Sequence, residues 1–384
     1  MPSLNPFEEW VHQSIRRKIN SDKAFQEIFK KKGSDEITKS DLEKYKLYKL
    51  KEMVRYVYDR SIFYKKLFEK NGIIPEEINS FEDFSKIPFT TARDVVENPY
   101  LFLCITQDGI LRGFTIEETE GRFRRIFFTM DELLNIIDSI SYAIKMLGVN
   151  ANDTVQIVFP FEAQWGCNHL VEEAVRRTGA EPVSTGSIDF EEQFKKILDI
   201  KPKMIIGSNP YLVDMTRALS LKYDLRKAEV KIILLSRGCE FHPFTKSIRE
   251  EIEKAWGCKA LDHYGTMEAG MANAIECLYQ NGLHINEADF YYEVVDVKSK
   301  EPLPLGNEGE LIFTTLSRIG MPLIRFRTRD VSYLIDKSCK CGVSTLRSIG
   351  GIRRKLKNGS KSHSLLEPFY LIKRLKSFLN RNKF

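Results

Sequence analysis

Between residues 125 and 260 the chain alternates short, mainly apolar runs with amphipathic stretches, and this alternation narrows the fold more than any other feature. The runs are Val155–Phe159, Met204–Ile206 and Val230–Leu235, and segments 190–200 and 244–256 carry apolar residues at helical spacing between or after them. A strand that is apolar at consecutive positions has no face to turn toward water, so both faces of its sheet must be covered. Helical crossovers provide that cover, which predicts βαβ units around a parallel sheet, an α/β fold.

The flanks read differently. Residues 1–90 are rich in Lys, Glu and Leu, and Leu47, Leu50, Met53, Val54 and Val57 recur at helical intervals, giving one apolar stripe. This helical region ends in a connection near Pro75–Pro88. Residues 289–335 hold β-rich runs, Phe290–Val297, Glu310–Thr315 and Val331–Ile335, separated by turn-forming segments such as Pro302–Asn307. They predict an antiparallel sheet or small barrel beside the α/β layers. The expected organisation is a helical region over 1–90 and a core over 91–346, with α/β layers to about 288 and a β-rich subdomain over 289–346. A basic C-terminal stub follows over 347–384.

Charge is distributed unevenly. Eleven of the 59 basic residues but only one of the 53 acids, Glu367, lie in 347–384, which leaves residues 1–346 with 48 basic and 52 acidic side chains. The formal +6 therefore belongs to the tail, and the body has no net attraction for a phosphate backbone, so nucleic acid is not expected as a partner. In the tail, Leu371, Ile372, Leu375, Phe378 and Leu379 fall at helical intervals among basic residues. A basic amphipathic helix over 365–384 packs on its own body, on an anionic membrane surface or on a protein partner. No apolar run is long enough to span a bilayer and no export signal precedes the body, and seven scattered cysteines fit a reducing, cytoplasmic setting.

The most specific stretch begins at Tyr264–Gly270 (YGTMEAG) and continues through Glu276-Cys277 and Gly282–His284. It then runs through Glu308–Thr315 (EGELIFTT) and Met321–Asp330 (MPLIRFRTRD) to Cys339–Gly342 (CKCG). In this order, together with Tyr58–Ile73 and Lys86–Asp94 upstream, the chain resembles the phenylacetate-CoA ligase-like branch of the adenylate-forming superfamily over roughly residues 40–350. The resemblance implies an adenylate-forming large domain. It also implies ATP-dependent activation of an organic carboxylate, aromatic acids among the candidates, as an acyl-adenylate, with magnesium as cofactor and coenzyme A as the acyl acceptor of most members. A small-molecule carboxylate is then the partner, and a homodimer stays open.

Carried over position by position, the resemblance implies that Tyr264 stacks on adenine and Asp330 accepts hydrogen bonds from the ribose hydroxyls. Glu268 would face magnesium and act with Arg122 and Arg327 at the reacting phosphate, while Thr119, Gly121, Thr129, His263, Gly265 and Thr266 line the nucleotide. Arg325 and Arg327 alternate with Ile324 and Phe326, so on a strand they share one face, which borders the nucleotide or pairs with carboxylates. Phe161, Trp165, His169 and Tyr211 fall where relatives place the acyl pocket.

Three departures matter. The segment matching the phosphate loop, Thr115–Arg122, carries Glu117, Glu118 and Glu120 where small neutral residues are expected, and acids repel a polyphosphate. Met267 precedes Glu268 in place of a hydroxyl residue. After Gly350–Arg354 too few residues follow to form the mobile lid, which takes on the order of 100 residues, so its catalytic lysine has no counterpart. The alternative function is a nucleotide- or acyl-ligand-binding regulatory or scaffold protein that has lost adenylation.

Cys277, His284, Cys339 and Cys341 form a second constellation. Three thiolates and one imidazole suit tetrahedral structural zinc, and the alternative is unmetallated thiols.

Overall fold

In a computed structural model of the chain, the described residues are 5–23, 25–26, 37–117, 123–159, 167–236, 244–266 and 268–356. Several amphipathic stretches become helices whose first N–H groups are capped by a polar side chain. Asn5 caps the helix Pro6–Asn20, and Thr38 with Asp41 forms a capping box at Lys39–Arg60. Thr129 and Glu132 do the same for Met130–Met146. Of the stripe read from the sequence, the helix at 39–60 buries Leu50, Met53, Val54 and Val57, while Leu47 is half-buried. Trp10 stacks on Tyr142 at 5.8 Å between ring centroids, which docks the first helix on 130–146.

The strands are, in chain order, β1 (Arg112–Glu117), β2 (Phe123–Phe128), β3 (Thr154–Ile157), β4 (Glu181–Ser184), β5 (Met204–Ser208), β6 (Ile232–Ser236), β7 (Lys259–Thr266) and β8 (Gly270–Glu276). Then come β9 (Leu283–Ile285), β10 (Phe290–Val295), β11 (Gly309–Thr315), β12 (Phe326–Ser332), β13 (Leu334–Ile335), β14 (Ser348–Ile349) and β15 (Arg354–Lys355). Strands β3 to β7 are parallel, in the order β4-β3-β5-β6-β7, with helices Cys167–Thr178, Phe190–Ile200, Asn209–Ser220 and Lys246–Trp256 in the crossovers.

Both sheet faces are covered, as consecutive apolar residues in these runs require. On β5, Met204 and Ile206 join the core shared with the N-terminal helices, while Ile205 faces Leu212, Val213 and Ile197; Ile232 and Ile233 divide in the same way on β6.

Beyond β7 the sheet turns antiparallel through β8, β9, β14 and β13, giving nine strands. The β-rich region forms a separate antiparallel sheet, β10-β11-β12-β15, rather than a barrel. Strands β14 and β15 lie past residue 346, so the sheets take in part of the segment read as a stub. The helix expected over 365–384 lies outside the described residues. Among the described residues no helix is long and apolar enough to cross a membrane.

Candidate functional site

Near its C-terminal end β7 carries Tyr264, buried, whose hydroxyl donates to Asp330 Oδ2 at 2.7 Å. Asp330 lies on β12, so this bond crosses from the large sheet to the small one. The backbone N–H of Asp330 donates to Thr328 Oγ1 at 3.0 Å, and the Tyr264 ring meets Tyr292 edge-on at 6.2 Å. Burial and then the Asp330 charge hold the phenol well above its ordinary pKa, so it stays protonated and remains a donor. His263 is buried beside it on β7. A side chain at Gly265 would place its Cβ 2.7 Å from the Gly270 carbonyl oxygen, so glycine lets β7 and β8 close together there. The half-buried Thr266 accepts from the Ala269 N–H at 3.2 Å.

Of the segment matching the phosphate loop, Thr115, Ile116 and Glu117 end β1, where Glu117 pairs with Phe123 of β2. Thr119, Gly121 and Arg122 lie outside the described residues, as does Met267. On β2, Arg125 and Phe127 turn to Tyr100, while Arg124, Ile126 and Phe128 take the opposite, inner face by strand alternation. Arg124 Nη1 stands 2.7 Å from Glu268 Oε1, and Glu268 is 5% exposed.

A second guanidinium meets the same residue. Arg318 donates to the Glu268 and Phe127 carbonyls and lies over the Phe128 ring, 4.2 Å from its centroid. Glu132 spends its carboxylate on the N–H groups of Thr129, Ile319 and Gly320. The glutamate that the resemblance assigns to magnesium is thus already neutralised by an arginine. As they stand, these residues do not fit a divalent cation at Glu268, which would need the carboxylate and room for its waters.

Thr129, besides capping its helix, borders a cavity of about 310 Å³ with Lys18, Asn135, Asn286, Asp289 and Arg318 in its wall. Asp289 organises that wall by accepting from Lys18 Nζ at 2.6 Å, Asn135 Nδ2 at 2.6 Å, Asn286 Nδ2 at 2.8 Å and the Ser317 hydroxyl at 2.5 Å. Burial works against its charge, but Lys18 and these donors outweigh it and keep the carboxyl below its ordinary pKa.

Arg325 and Arg327 do share a side, since both guanidinium groups lie over the Phe89 ring. That side holds carboxylates. Arg327 forks onto buried Glu310, with Nη2 to Oε2 at 2.6 Å and Nε to Oε1 at 3.0 Å. Buried Arg325 pairs with Glu293 at 3.1 Å and donates to the carbonyls of Ser85 and Ile87. Of the residues assigned to the acyl pocket, Phe161 and Trp165 lie outside the described residues. His169 is 81% exposed, 3.6 Å from Glu172, and the Tyr211 hydroxyl donates to the Ile188 carbonyl at 2.9 Å. Neither lines the cavity beside Arg318.

The four soft ligands converge. The ligand atoms of Cys277, His284, Cys339 and Cys341 lie within 4.8 Å of one another. Cys277 and Cys339 sulfurs are 3.6 Å apart, and Cys341 Sγ is 3.3 Å from His284 Nε2. A zinc tetrahedron with bonds of about 2.0–2.3 Å has edges of roughly 3.3–3.8 Å, a range that includes these two separations, so with a small contraction of the widest one the donor set fits this ion. His284 Nδ1 is hydrogen-bonded to Ser348 Oγ at 2.9 Å, which turns Nε2 toward the cluster. Contact with Cys341 and then His284 draws the Cys277 thiol down; burial opposes a charge on His284, but its cysteine neighbours raise it.

Arg124, Arg318, Glu132 and Asp289 were not among the residues singled out from sequence. Only Arg124 left a trace there, as a charged residue on the strand directly after the phosphate-loop segment.

No family profile matches the chain. It is 29% identical over 323 residues to a phenylacetate-coenzyme A ligase of Aromatoleum evansii, covering 82% of this chain and 70% of the relative. To the phenylacetate-coenzyme A ligase of Escherichia coli K12 it is 28% identical over 298 residues, 76% of this chain and 67% of that one. Among solved structures, an open conformation of 2-hydroxyisobutyryl-CoA ligase with 2-HIB-AMP and CoA matches with a TM-score of 0.73 at 20% identity, covering 82% of this chain and 75% of the other. The same ligase in its thioesterification state gives 0.74 at 20% identity, with 83% and 69% covered. The structural likeness shows the fold, that of the adenylate-forming ligases.

Proposed function

We propose that this chain, a homologue of the phenylacetate-coenzyme A ligases built on the adenylate-forming ligase fold, is an enzyme that activates an organic carboxylate with ATP. A carboxylate oxygen attacks the α-phosphorus of ATP, the bond to the pyrophosphate oxygen breaks, and acyl-adenylate and pyrophosphate result. In a second step the coenzyme A thiol takes the acyl carbon, loses its proton and releases AMP. The protein's task in the first step is to hold the two reactants in line and to balance the charge on the phosphates.

The observation that carries this reading is the convergence of Tyr264 and Asp330 from strands of two different sheets. They are the ring and the carboxylate that the resemblance assigns to adenosine. Arg124 and Arg318 meet at Glu268, which follows Tyr264 by four residues, and would supply guanidinium donors to phosphate charge. No step is routed through magnesium, since Glu268 is paired. Cys277, His284, Cys339 and Cys341 would hold zinc, which would act structurally by joining β9 and the 339–341 loop to the end of β8.

The test is carboxylate-dependent exchange of labelled pyrophosphate into ATP across a panel of aryl and aliphatic acids. Exchange with at least one acid, lost in Asp330→Ala, is the expected result. The ion pair on Glu268 also favours a second reading, a nucleotide-binding regulatory protein without adenylation. Nucleotide binding with no exchange for any acid would select it.

A further inference from the structure

The carboxylate that the resemblance assigns to magnesium is already paired. Glu268 is 5% exposed and its Arg124 partner 18% exposed, so the pair is largely out of water. A buried carboxylate has to be neutralised, and the side chain 2.7 Å away does so without any added ion. A divalent cation arriving here would have to shed waters and displace Arg124. It would then sit beside a second guanidinium, because Arg318 is hydrogen-bonded to the Glu268 carbonyl. The neighbouring carboxylate, Glu132, is committed to three backbone N–H groups.

We infer that Arg124 is the resident counter-charge of Glu268, and that a nucleotide binds this site without a divalent cation on that carboxylate. The inference rests on the adenylate-site reading above and deepens it by naming what stands in the cation's place. The ligand class is a nucleoside phosphate, met by guanidinium donors instead of a bridging metal. A guanidinium is suited to this, because its planar fork presents several N–H groups to phosphate oxygens.

Local sequence explains how the arginine comes to be there. On β2 the inner face reads Arg124, Ile126, Phe128, and the latter two are buried, so the first residue of that face is carried to the rim of the site. Arg125, one position on, is turned outward to Tyr100. A one-residue slip in the hairpin register would exchange the two arginines.

The experiment is calorimetric titration of the full chain with AMP and with ATP, each in saturating magnesium and in EDTA. Wild type should bind both nucleotides, with ATP affinities in the two conditions within about twofold. Arg124→Lys keeps the positive charge and should keep this independence. Arg124→Gln uncovers Glu268, so its ATP affinity in EDTA should fall by about tenfold and be recovered at least in part by magnesium. Thermal melts establish that each variant is folded, and if Arg124→Gln is not, wild type and Arg124→Lys decide the matter. Wild-type ATP binding that strengthens about tenfold or more with magnesium overturns the inference and leaves the adenylate-site reading standing. Absence of binding by either nucleotide overturns both.

Discussion

The Tyr264 hydroxyl donates to the Asp330 carboxylate at 2.7 Å, and through that bond the edge of the parallel layer is fastened to the third strand of the small sheet. Tyr264→Phe keeps the ring and removes the donor, leaving a buried carboxylate short of a partner. The expected cost is about 1–3 kcal/mol, read from urea denaturation. Nucleotide affinity should fall further in Asp330→Ala than in Tyr264→Phe, because the carboxylate is the group assigned to the ribose. Equal losses would place both residues in a purely structural role.

The cysteine and histidine cluster predicts about one zinc per chain in protein purified without chelator. Stripping the metal should lower the melting temperature, and Cys339→Ser should reproduce the loss. A metal content near zero in well-folded protein would remove zinc from the account.

The first helix buttresses that cluster. Glu8 accepts from the N–H of Ser344 at 3.0 Å and of Thr345 at 2.6 Å, and Asn5 donates to the Cys341 carbonyl at 3.1 Å. Glu8→Ala strands two backbone donors next to the ligand loop. It should speed zinc loss to a colorimetric chelator by about tenfold, as removal of a supporting contact commonly does. An unchanged release rate would show that the loop holds its shape alone.

Asp289 should give the fold an acid-sensitive step. Its carboxyl is held below its unfolded value, so its stabilisation is complete above the ordinary carboxylate range and is lost as pH falls through the depressed value. Asp289→Asn should be less stable at neutral pH and lose less on acidification between about pH 5 and pH 2, measured by melting temperature. Parallel curves for the two proteins would mean that another group carries the acid response.

The fold was legible where a signal is local and periodic. The helix expected over 190–200 is Phe190–Ile200, because Asp189 caps it and Phe194 and Ile197 fall one turn apart on its buried face. The parallel strands were legible because burial on two faces forbids alternation. Strands β14 and β15 were not, since two residues are too short to show a period, and their partners alone define them.

The site was legible to the same extent. The expected alternation does not apply to Arg325, which precedes β12 with φ 47°, although both guanidinium groups lie over the Phe89 ring. It left open what they face there, because Glu293 and Glu310 come from other strands, 32 and 17 residues away. Arg124 escaped for the same reason. Its partner Glu268 lies across the fold, and no spacing rule connects a hairpin arginine to a turn glutamate.

The most direct measurement of the central claim is a single-turnover assay of the full chain with ATP and the acid best supported by pyrophosphate exchange, quantifying acyl-adenylate by mass spectrometry. Wild type should yield acyl-adenylate and pyrophosphate in equal amounts, and Asp330→Ala neither. Bound nucleotide recovered intact from wild type, with no adenylate for any acid, would contradict it.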